Sequence, residues 1–281
     1  RLLEAERSVA PNRRRAALLA HELGEICERR LGDEKRAIQL YGEAFKLDAS
    51  LRPNLWAIRR VLYRRSLWPN LQKLIEAEFR FAANDAEHAE LYVEKGLILE
   101  AGVGDLEGAR EAYDRALALV PDFQPALLLR ERMALCPRDT AALAGLWRAL
   151  SGAVGTPARR VSYLIDLARV EATTDDPAAH SRALATMSEA TAIGADREHV
   201  ARERERMATR FGDPIAYLAA LDERIALAAK KMDSEPASRR RLVALRRRQA
   251  QVAAAVGDHD RAFASSSQAA MLDPDEPLVQ A

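Results

Sequence analysis

The pattern of small, apolar and polar positions repeats along the chain. Three segments begin at Leu31, Val103 and Val256 and read LGDEKRAIQLYGEAFKLDAS, VGDLEGAREAYDRALALVPD and VGDHDRAFASSSQAAMLDPD. In each segment a Gly-Asp pair is followed by Ala four residues after the Asp and by a second Ala eleven residues after it. A recurring pattern of this kind predicts a protein built from stacked copies of one structural unit.

Each position of the pattern has a physical role in a pair of helices. The Gly leaves the turn free of side-chain strain, and the Asp caps the next helix by accepting hydrogen bonds from its first free N–H groups. The Ala residues let neighbouring helices approach closely. Two copies carry Pro121 and Pro274 sixteen residues after the Asp, where Pro stops the second helix, and the first copy has Ala49 there. Each copy therefore predicts a helical hairpin.

These residues resemble the tetratricopeptide repeat, whose signature combines a Leu-Gly pair, small Ala positions, an aromatic residue and a closing Pro. Both well-formed early copies carry extra residues in the first helix, and other copies lack the Leu-Gly pair. The resemblance implies an all-α fold, a right-handed α-α solenoid of helical hairpins. The residues that carry it are Leu23, Gly24, Ala37, Tyr41 and Ala44 in one copy and Ala109, Tyr113, Ala116 and Pro121 in another.

Weaker copies appear when one small or apolar position is followed along the chain. It falls at Ala37, Leu71, Ala109, Leu143, Ala183, Tyr217 and Ala262, in steps of 34, 38, 34, 40, 34 and 45 residues. We therefore expect residues 1–281 to form one solenoid of about seven repeats. The predicted divisions are 1–12 (partial), 13–50, 51–84, 85–122, 123–155, 156–196, 197–234, 235–276 and 277–281 (partial).

Both ends of the chain have sequences typical of the interior of a repeat. Residues 9–12 are similar to residues 119–122, so residues 2–9 are interpreted as the second helix of an incomplete repeat. Residues 273–279 are similar to the start of a further repeat. Because no polar capping element is evident, we expect the chain to be an excerpt of a longer repeat protein.

Composition agrees with an all-helical class and gives no sign of a membrane segment. Hydrophobic residues make up 48% of the chain and are mainly Ala and Leu, whereas aromatic residues make up 5%. No apolar run approaches the roughly 18 residues that span a bilayer, and the Arg-rich start is not a signal peptide. We therefore expect no membrane insertion and a cytoplasmic location. If the chain is an excerpt of a longer protein, as expected above, the true N-terminus lies outside it.

Charge is balanced overall and uneven locally. The chain has 43 Lys and Arg against 42 Asp and Glu. Residues 197–261 contain 15 basic and 10 acidic residues, so an anionic partner would favour this stretch. Nucleic-acid binding through it is one alternative function, but the triplets at 239–241 and 246–248 mostly decorate one helix and lack interleaved aromatic residues for base stacking.

Residue types that carry catalysis or bind metals do not cluster in the sequence. Cys27 and Cys136 are far apart and fall in helical patterns, where a small buried side chain is the ordinary interpretation. Residues 21–25 (HELGE) approach the zinc-protease helix motif, but Glu25 stands where the second His belongs. Phosphate-binding glycine loops and nucleophile motifs are also absent, so we predict no enzyme activity, no metal and no cofactor.

The resemblance also implies where a partner would bind, because first helices of successive tetratricopeptide repeats line a concave surface that receives peptides or helices. Arg binds carboxylates in a planar fork and stacks on aromatic rings, so such a surface suits an acidic peptide. The first-helix positions implied by the resemblance include His21, Glu25, Val93, Leu97, Leu128, Ile165 and Gln251. The main set, called the predicted stripe below, is Trp56, Arg60, Tyr63, Arg64, Arg132, Arg169, Arg202, Arg206, Arg210 and Arg247.

The arginines have a second interpretation, in which they solvate the surface and pair with nearby Glu, in a chain with 37 Arg and 6 Lys. Trp68 and Trp147 are assigned to packing. The stripes lack the Asn residues with which carboxylate-clamp repeats hold a peptide terminus, so a chaperone-tail receptor is not predicted. The expected function is a non-catalytic scaffold for protein–protein interaction. An alternative is an assembly or regulatory domain of a larger enzyme or signalling protein, and the oligomeric state stays open.

Overall fold

The computed structural model describes residues 2–173, 176–232 and 236–273. Within these ranges the chain consists of successive helices and the turns between them, with no strand. The all-α prediction is therefore confirmed. The chain forms two compact units, Arg1–Arg130 and Glu131–Ala281.

The first unit contains three helical hairpins preceded by a short helix. The pairs α2/α3, α4/α5 and α6/α7 pack as hairpins, and α1 packs against α2. Asn54 of α4 is fully buried, and its Nδ2 donates to the carbonyl of Tyr41 in α3 at 3.0 Å, which ties one hairpin to the next. The helices are α1 (Leu2–Ser8), α2 (Arg13–Ile26), α3 (Glu34–Leu47), α4 (Arg52–Arg64), α5 (Trp68–Glu78), α6 (Asp85–Leu97) and α7 (Leu106–Leu119).

The second unit repeats this arrangement. Helix α8 (Gln124–Leu135) contains the division between the units. The pairs α10/α11, α12/α13 and α14/α15 pack as hairpins, and α9 packs against α10. The helices are α9 (Thr140–Ala153), α10 (Pro157–Glu171), α11 (Pro177–Ile193), α12 (Arg197–Phe211), α13 (Pro214–Lys230), α14 (Pro236–Ala255) and α15 (His259–Leu272).

The Gly-Asp pairs end one helix and begin the next, as predicted. Gly32, Gly104 and Gly257 have φ values of 67°, 80° and 83°, a left-handed conformation in which an L side chain is strained. The Asp that follows each Gly accepts a hydrogen bond from the N–H three residues later. These acceptors are Asp33, Asp105 and Asp258, at distances of 3.0, 2.9 and 3.1 Å.

The recurring small or apolar position lies in the core of nearly every copy. The side chains at this position are at most 6% exposed in six copies, and Ala262 in α15 is half-buried. The buried members are Ala37, Leu71, Ala109, Leu143, Ala183 and Tyr217. The division into about seven repeats and the interpretation of the chain as an excerpt stay predictions. Pro274 and the sequence that follows it lie outside the described residues.

The signature Gly and the aromatic residue contact each other across the hairpin. A Cβ atom at Gly24 would lie 2.5 Å from Cε1 of Tyr41, and one at Gly96 would lie 2.2 Å from Cε1 of Tyr113. Tyr41 and Tyr113 are 1% and 0% exposed. Glycine is therefore required because the Tyr ring of the second helix occupies the space of a side chain on the first.

The extra residues of these two first helices form π-helical turns. Helix α2 continues as the turn Cys27–Leu31, and α6 continues as the turn Ile98–Val103. Glu28 and Glu100 lie in these turns, and each accepts a hydrogen bond from the Tyr hydroxyl of the paired helix, at 2.7 and 2.9 Å. The inserted residues thus add a polar contact to the hairpin.

The two cysteines lie in different surroundings. Cys27 is buried at 5% exposure, as expected. Cys136 is exposed, and the prediction of a buried side chain is wrong there because the residue follows the end of α8 and lies in a turn.

Candidate partner-binding site

The residues of the predicted stripe lie in different environments. Trp56 and Tyr63 on α4 are exposed, and the Tyr63 ring meets Trp68 edge-on at 5.1 Å. Arg60 and Arg247 are half-buried. The remaining arginines of the stripe are exposed, namely Arg64, Arg132, Arg169, Arg202, Arg206 and Arg210.

Three further positions transferred from the tetratricopeptide pattern are buried. His21, Val93 and Ile165 are 8%, 8% and 1% exposed. The His21 ring lies 5.8 Å from the ring of Tyr41 on the paired helix, and burial lowers the pKa of His21. Ile165 belongs to the core that α10 and α11 share. The prediction is wrong at these positions because their side chains face the protein interior.

Glu28 holds two arginines of the stripe in the first unit. Arg60 Nη2 and Arg64 Nη2 donate to the Glu28 carboxylate at 2.6 and 3.0 Å, and the Tyr41 hydroxyl donates to it as well. Burial alone would raise the pKa of Glu28, but the hydrogen bonds from Arg60, Tyr41 and Arg64 outweigh it and lower the pKa to about 2. Arg64 also donates to Glu34 at 2.6 Å. Both arginines therefore have intramolecular partners.

A cleft of about 140 Å³ opens beside Trp56, between α4, α6 and the end of α5. We call it the tryptophan cleft. Arg59 lines it; its Nε donates to Glu78 Oε1 at 2.9 Å, and its guanidinium also bonds to Glu94. Arg59 is not in the predicted stripe, although it directly precedes Arg60, which is. It lies 35 residues before Glu94, so about one repeat length separates the two bonded residues. Besides Arg59, the side chains that line the cleft include Arg52, Trp56, Glu78, Phe81, Glu87, Glu90 and Glu94.

A second cavity, of about 390 Å³, lies among α12, α13 and α14 in the second unit. Four of the six side chains that line it are arginines, and a single carboxylate, Glu205, lies among them. Glu205 bonds to Arg224 and accepts the Tyr217 hydroxyl at 3.0 Å. We call this cavity the arginine pocket. It is lined by Arg202, Glu205, Arg206, Thr209, Arg224 and Arg248.

Arginines also outnumber the carboxylates that border this pocket. Glu203 is buried, and both Arg169 and Arg206 pair with it, at 3.0 and 2.7 Å. Burial alone would raise the pKa of Glu203, but the hydrogen bond and charge of Arg169 outweigh it and lower the pKa. Glu198 has Arg202 at 3.6 Å and also pairs with Arg241 of α14 and with Lys231, which follows α13. Glu203 and Glu198 are therefore each shared by two or more cationic groups.

Arg248 and Arg224 keep hydrogen-bonding capacity. The Arg248 guanidinium lies 5.6 Å from the centre of the Tyr217 ring, and in the described parts of the chain it has no carboxylate partner. Arg224 Nε is buried and has no acceptor among the described residues. Sequence reasoning missed both: Arg224 is on a second helix, and Arg248 is one residue beyond the selected Arg247. Both lie in the basic stretch 197–261, and this was the sequence signal that could have identified them.

The two basic triplets of α14 do not form one surface. Arg239 Nε donates to the carbonyl of Leu272 at 2.8 Å, and Arg241 pairs with Glu198. Arg246 donates to Gln249 at 3.0 Å, and burial lowers its pKa. These side chains bind different parts of the second unit, so only part of the basic sequence faces solvent.

Two tryptophans contribute to packing. A Cβ atom at Gly102 would lie 2.5 Å from Cδ2 of Trp68, so the indole of α5 covers the backbone of the second π-helical turn. Trp147 is half-buried, and its Nε1 donates to Glu131 at 2.7 Å. Both are placed as the sequence predicted.

Metal ligands and membrane segments are not found in the parts of the chain that the structure describes. Over residues 2–173, 176–232 and 236–273, His, Cys, Asp and Glu do not form a group of three or more that could hold a metal ion. Within the same residues, every helix is too short or too polar to cross a membrane.

No protein-family model and no curated protein sequence matches the chain. Among solved structures, a tetratricopeptide repeat protein from Parabacteroides merdae is 14% identical, with 92% of this chain and 94% of that chain covered and a TM-score of 0.42. The C-terminal part of a TPR repeat-containing protein from Cytophaga hutchinsonii is 14% identical, with coverages of 93% and 96% and a TM-score of 0.43.

A third similar structure is the TPR2AB-domain:pHSP90 complex of yeast Sti1, 14% identical, with 92% of both chains covered and a TM-score of 0.36. At these identities the similarity concerns the fold alone. The chain is similar to tetratricopeptide repeat proteins in its succession of helical hairpins, and its repeats are divergent.

Proposed function

We propose that the protein is a non-catalytic interaction scaffold that binds an acidic segment of a partner protein in the arginine pocket. The observation that carries this proposal is the cavity itself, in which four guanidinium groups surround a single carboxylate. Within the predicted stripe, Arg202 and Arg206 are the residues that take part directly. Arg60 and Arg64 are bonded to Glu28 and serve as structural residues in this proposal.

The charge of the pocket favours a carboxylate-bearing ligand. Glu205 neutralises at most one of the four guanidinium groups that line the cavity, and it already pairs with Arg224. Arg202 and Arg206 are 49% and 72% exposed at their side chains, so a ligand reaches them without unfolding the helix. A planar guanidinium forms two parallel hydrogen bonds with a carboxylate, which orients as well as attracts the ligand.

A protein partner fits the pocket better than a nucleic acid. No aromatic side chain is among the residues described as lining it, and the Tyr217 ring beside Arg248 is 6% exposed, so a base could not stack on that ring. The Thr209 hydroxyl donates to the backbone carbonyl of Glu205 at 2.9 Å and can accept a hydrogen bond beside the arginines. The exposed free thiol of Cys136 is compatible with the reducing interior of a cell, where we propose the interaction takes place.

The test is a fluorescence anisotropy titration of the full chain with a labelled peptide of alternating Glu and Gly, compared with a Gln and Gly peptide. We expect the Glu peptide to bind more tightly, because only it offers carboxylates to the guanidinium groups. Replacing Arg202→Glu and Arg206→Glu together should weaken binding of the Glu peptide about thirtyfold or more, through lost pairing and added repulsion.

The matched control is Arg182→Glu on α11, whose side chain is 60% exposed and only 3.9 Å from Asp176. This variant should bind the Glu peptide as the parent chain does. Equal binding of the two peptides, or unchanged binding by the double variant, would refute the arginine pocket as the binding site. A labelled single-stranded RNA that bound more tightly than the Glu peptide would instead favour the nucleic-acid alternative.

A further inference from the structure

The tryptophan cleft in the first unit exposes two aromatic side chains in one concavity. Trp56 is 60% exposed and Phe81 is 44% exposed, and both line the cleft. Single exposed apolar residues are common on protein surfaces, but two large aromatic side chains that share a cleft mark a binding surface. Phe81 was not singled out in the sequence, because it follows α5 in the turn before α6.

The cleft carries more negative than positive charge. Its lining includes four carboxylates, those of Glu78, Glu87, Glu90 and Glu94, and two guanidinium groups, those of Arg52 and Arg59.

Each guanidinium is already bonded to carboxylates of the cleft. The two carboxylates that share Arg59 are Glu78, which is buried, and Glu94, which is 43% exposed. Arg52 pairs with Glu87 at 2.5 Å. Negative charge is therefore left over after these pairs have formed.

Glu90 supplies part of the unpaired charge. Its side chain is exposed on α6 and, among the described residues, has no ion-pair partner. The backbone N–H of Ala83 and the charge of Arg52 lower the pKa of Glu87, so this neighbour is ionised as well at neutral pH. A carboxylate ligand would be repelled here, whereas a cationic side chain would be attracted to the carboxylates and to the face of the Trp56 indole.

A second, more apolar cleft of about 300 Å³ adjoins the first and shares Trp56, Arg59 and Glu94 with it. Tyr63, Leu97 and Ile98 line it, and Trp56 belongs to both cavities. A peptide that passes from the tryptophan cleft into this one would thus move from a mainly acidic lining to a mainly apolar one. This arrangement suits a basic residue next to an apolar residue.

We propose that the tryptophan cleft binds a basic side chain of a partner peptide against Trp56, with the neighbouring apolar residue of that peptide in the adjoining cleft. This site is separate from the arginine pocket and prefers the opposite charge. The partner segment that it selects contains Arg or Lys beside Leu, Ile, Val or Phe. Trp56 and Tyr63, which the sequence assigned to an acidic peptide, bind a cationic segment in this proposal.

The probe for this site is a labelled peptide of repeated Gly-Leu-Arg units, and its control carries citrulline, a neutral isostere, at every Arg. Anisotropy titrations of the full chain should show about tenfold tighter binding of the Arg peptide. Trp56→Ala and Glu90→Lys should each weaken its binding about tenfold. Both side chains are exposed, so circular dichroism should confirm that the variants fold.

Two matched variants act as controls. Phe263→Ala removes an aromatic side chain that is 77% exposed on α15, and Glu107→Gln removes a carboxylate that is 65% exposed on α7. Neither should change binding of the Arg peptide. The Arg202→Glu and Arg206→Glu double variant should also retain it, while Trp56→Ala should retain binding of the Glu peptide, so the two sites are tested independently.

Three results would overturn the proposal. The Arg and citrulline peptides would bind equally, which would show that charge plays no part. Alternatively, Trp56→Ala would leave binding of the Arg peptide unchanged. The third result is a dimer, detected by sedimentation, that Trp56→Ala abolishes. Such a dimer would show that a second copy of the chain covers the cleft.

Discussion

Arginines of the first unit and of the second unit are paired differently. On α4, Arg59, Arg60 and Arg64 each bond to carboxylates of other helices, and Arg59 bonds to two of them. Around α12 fewer carboxylates are available, since Arg202 and Arg206 each share their carboxylate with other cations and Arg248 has none among the described residues. The same residue type thus stabilises the packing of hairpins in one unit and leaves unused cationic groups in the other. The local number of carboxylates decides which role an arginine has.

The largest difference should appear when Arg59, a half-buried arginine of the first unit, is removed. Arg59→Leu leaves Glu78, which is 8% exposed, without its bidentate partner and should lower the free energy of unfolding by about 4 kcal/mol. The double variant Arg59→Leu/Glu78→Leu should recover most of this loss, because no unpaired charge is then buried. Urea denaturation followed by circular dichroism measures both effects.

The matched variant in the second unit is Arg206→Leu, whose side chain is 72% exposed and whose partner Glu203 keeps Arg169. It should change the free energy of unfolding by less than about 0.5 kcal/mol. A loss as large as that of Arg59→Leu would remove the distinction between the two units.

A smaller effect, of about 3 kcal/mol, should follow from the titration of Glu28. Its pKa in the folded chain is about 2, against 4.5 for an unperturbed Glu, so its stabilising effect is complete above about pH 4.5 and is lost as the pH falls through about 2. Glu28→Gln should therefore melt well below the parent chain at pH 7, and the two should converge near pH 2.

Thermal melting at a series of pH values measures this convergence, with Glu107→Gln as a control in which the carboxylate removed is exposed and pairs with Arg110 at the surface. If the melting temperatures of Glu28→Gln and the parent chain differed by the same amount at every pH, Glu28 would not be the ionised carboxylate that Arg60 and Arg64 bind.

The smallest expected effect compares two glycines within the first hairpin. Gly24→Ala would place a Cβ atom 2.5 Å from the Tyr41 ring and should destabilise the chain by about 2 kcal/mol. Gly42→Ala, in the interior of α3 with no atom within 4 Å of the new Cβ, should stabilise it by about 0.5–1 kcal/mol. Chemical denaturation of both variants should give changes of opposite sign, and equal signs would contradict the role assigned to the Tyr41 contact.

Features set by local geometry were predictable from the sequence. The caps at Asp33, Asp105 and Asp258 depend on a few adjacent residues, and the buried Ala positions follow from the repeat pattern. Ion-pair partners were not predictable, because they lie on other helices. Successive helical residues differ in direction by about 100°, so Arg247 and its neighbour Arg248 face different surroundings. Because the sequence analysis selected Arg247 instead of Arg248, it missed the side chain that lines the arginine pocket.

The π-helical turns at Cys27–Leu31 and Ile98–Val103 have a consequence for how such a chain tolerates changes in length. An added residue within an α-helix rotates everything that follows by about 100° and would turn core positions outward. Here the surplus is taken up immediately before the Gly-Asp turn, so the next helix starts in its usual orientation. Insertions at this point leave the orientation of the next helix unchanged and can add contacts of their own, as Glu28 and Glu100 do. A repeat can therefore be lengthened there without redesigning the rest of its core.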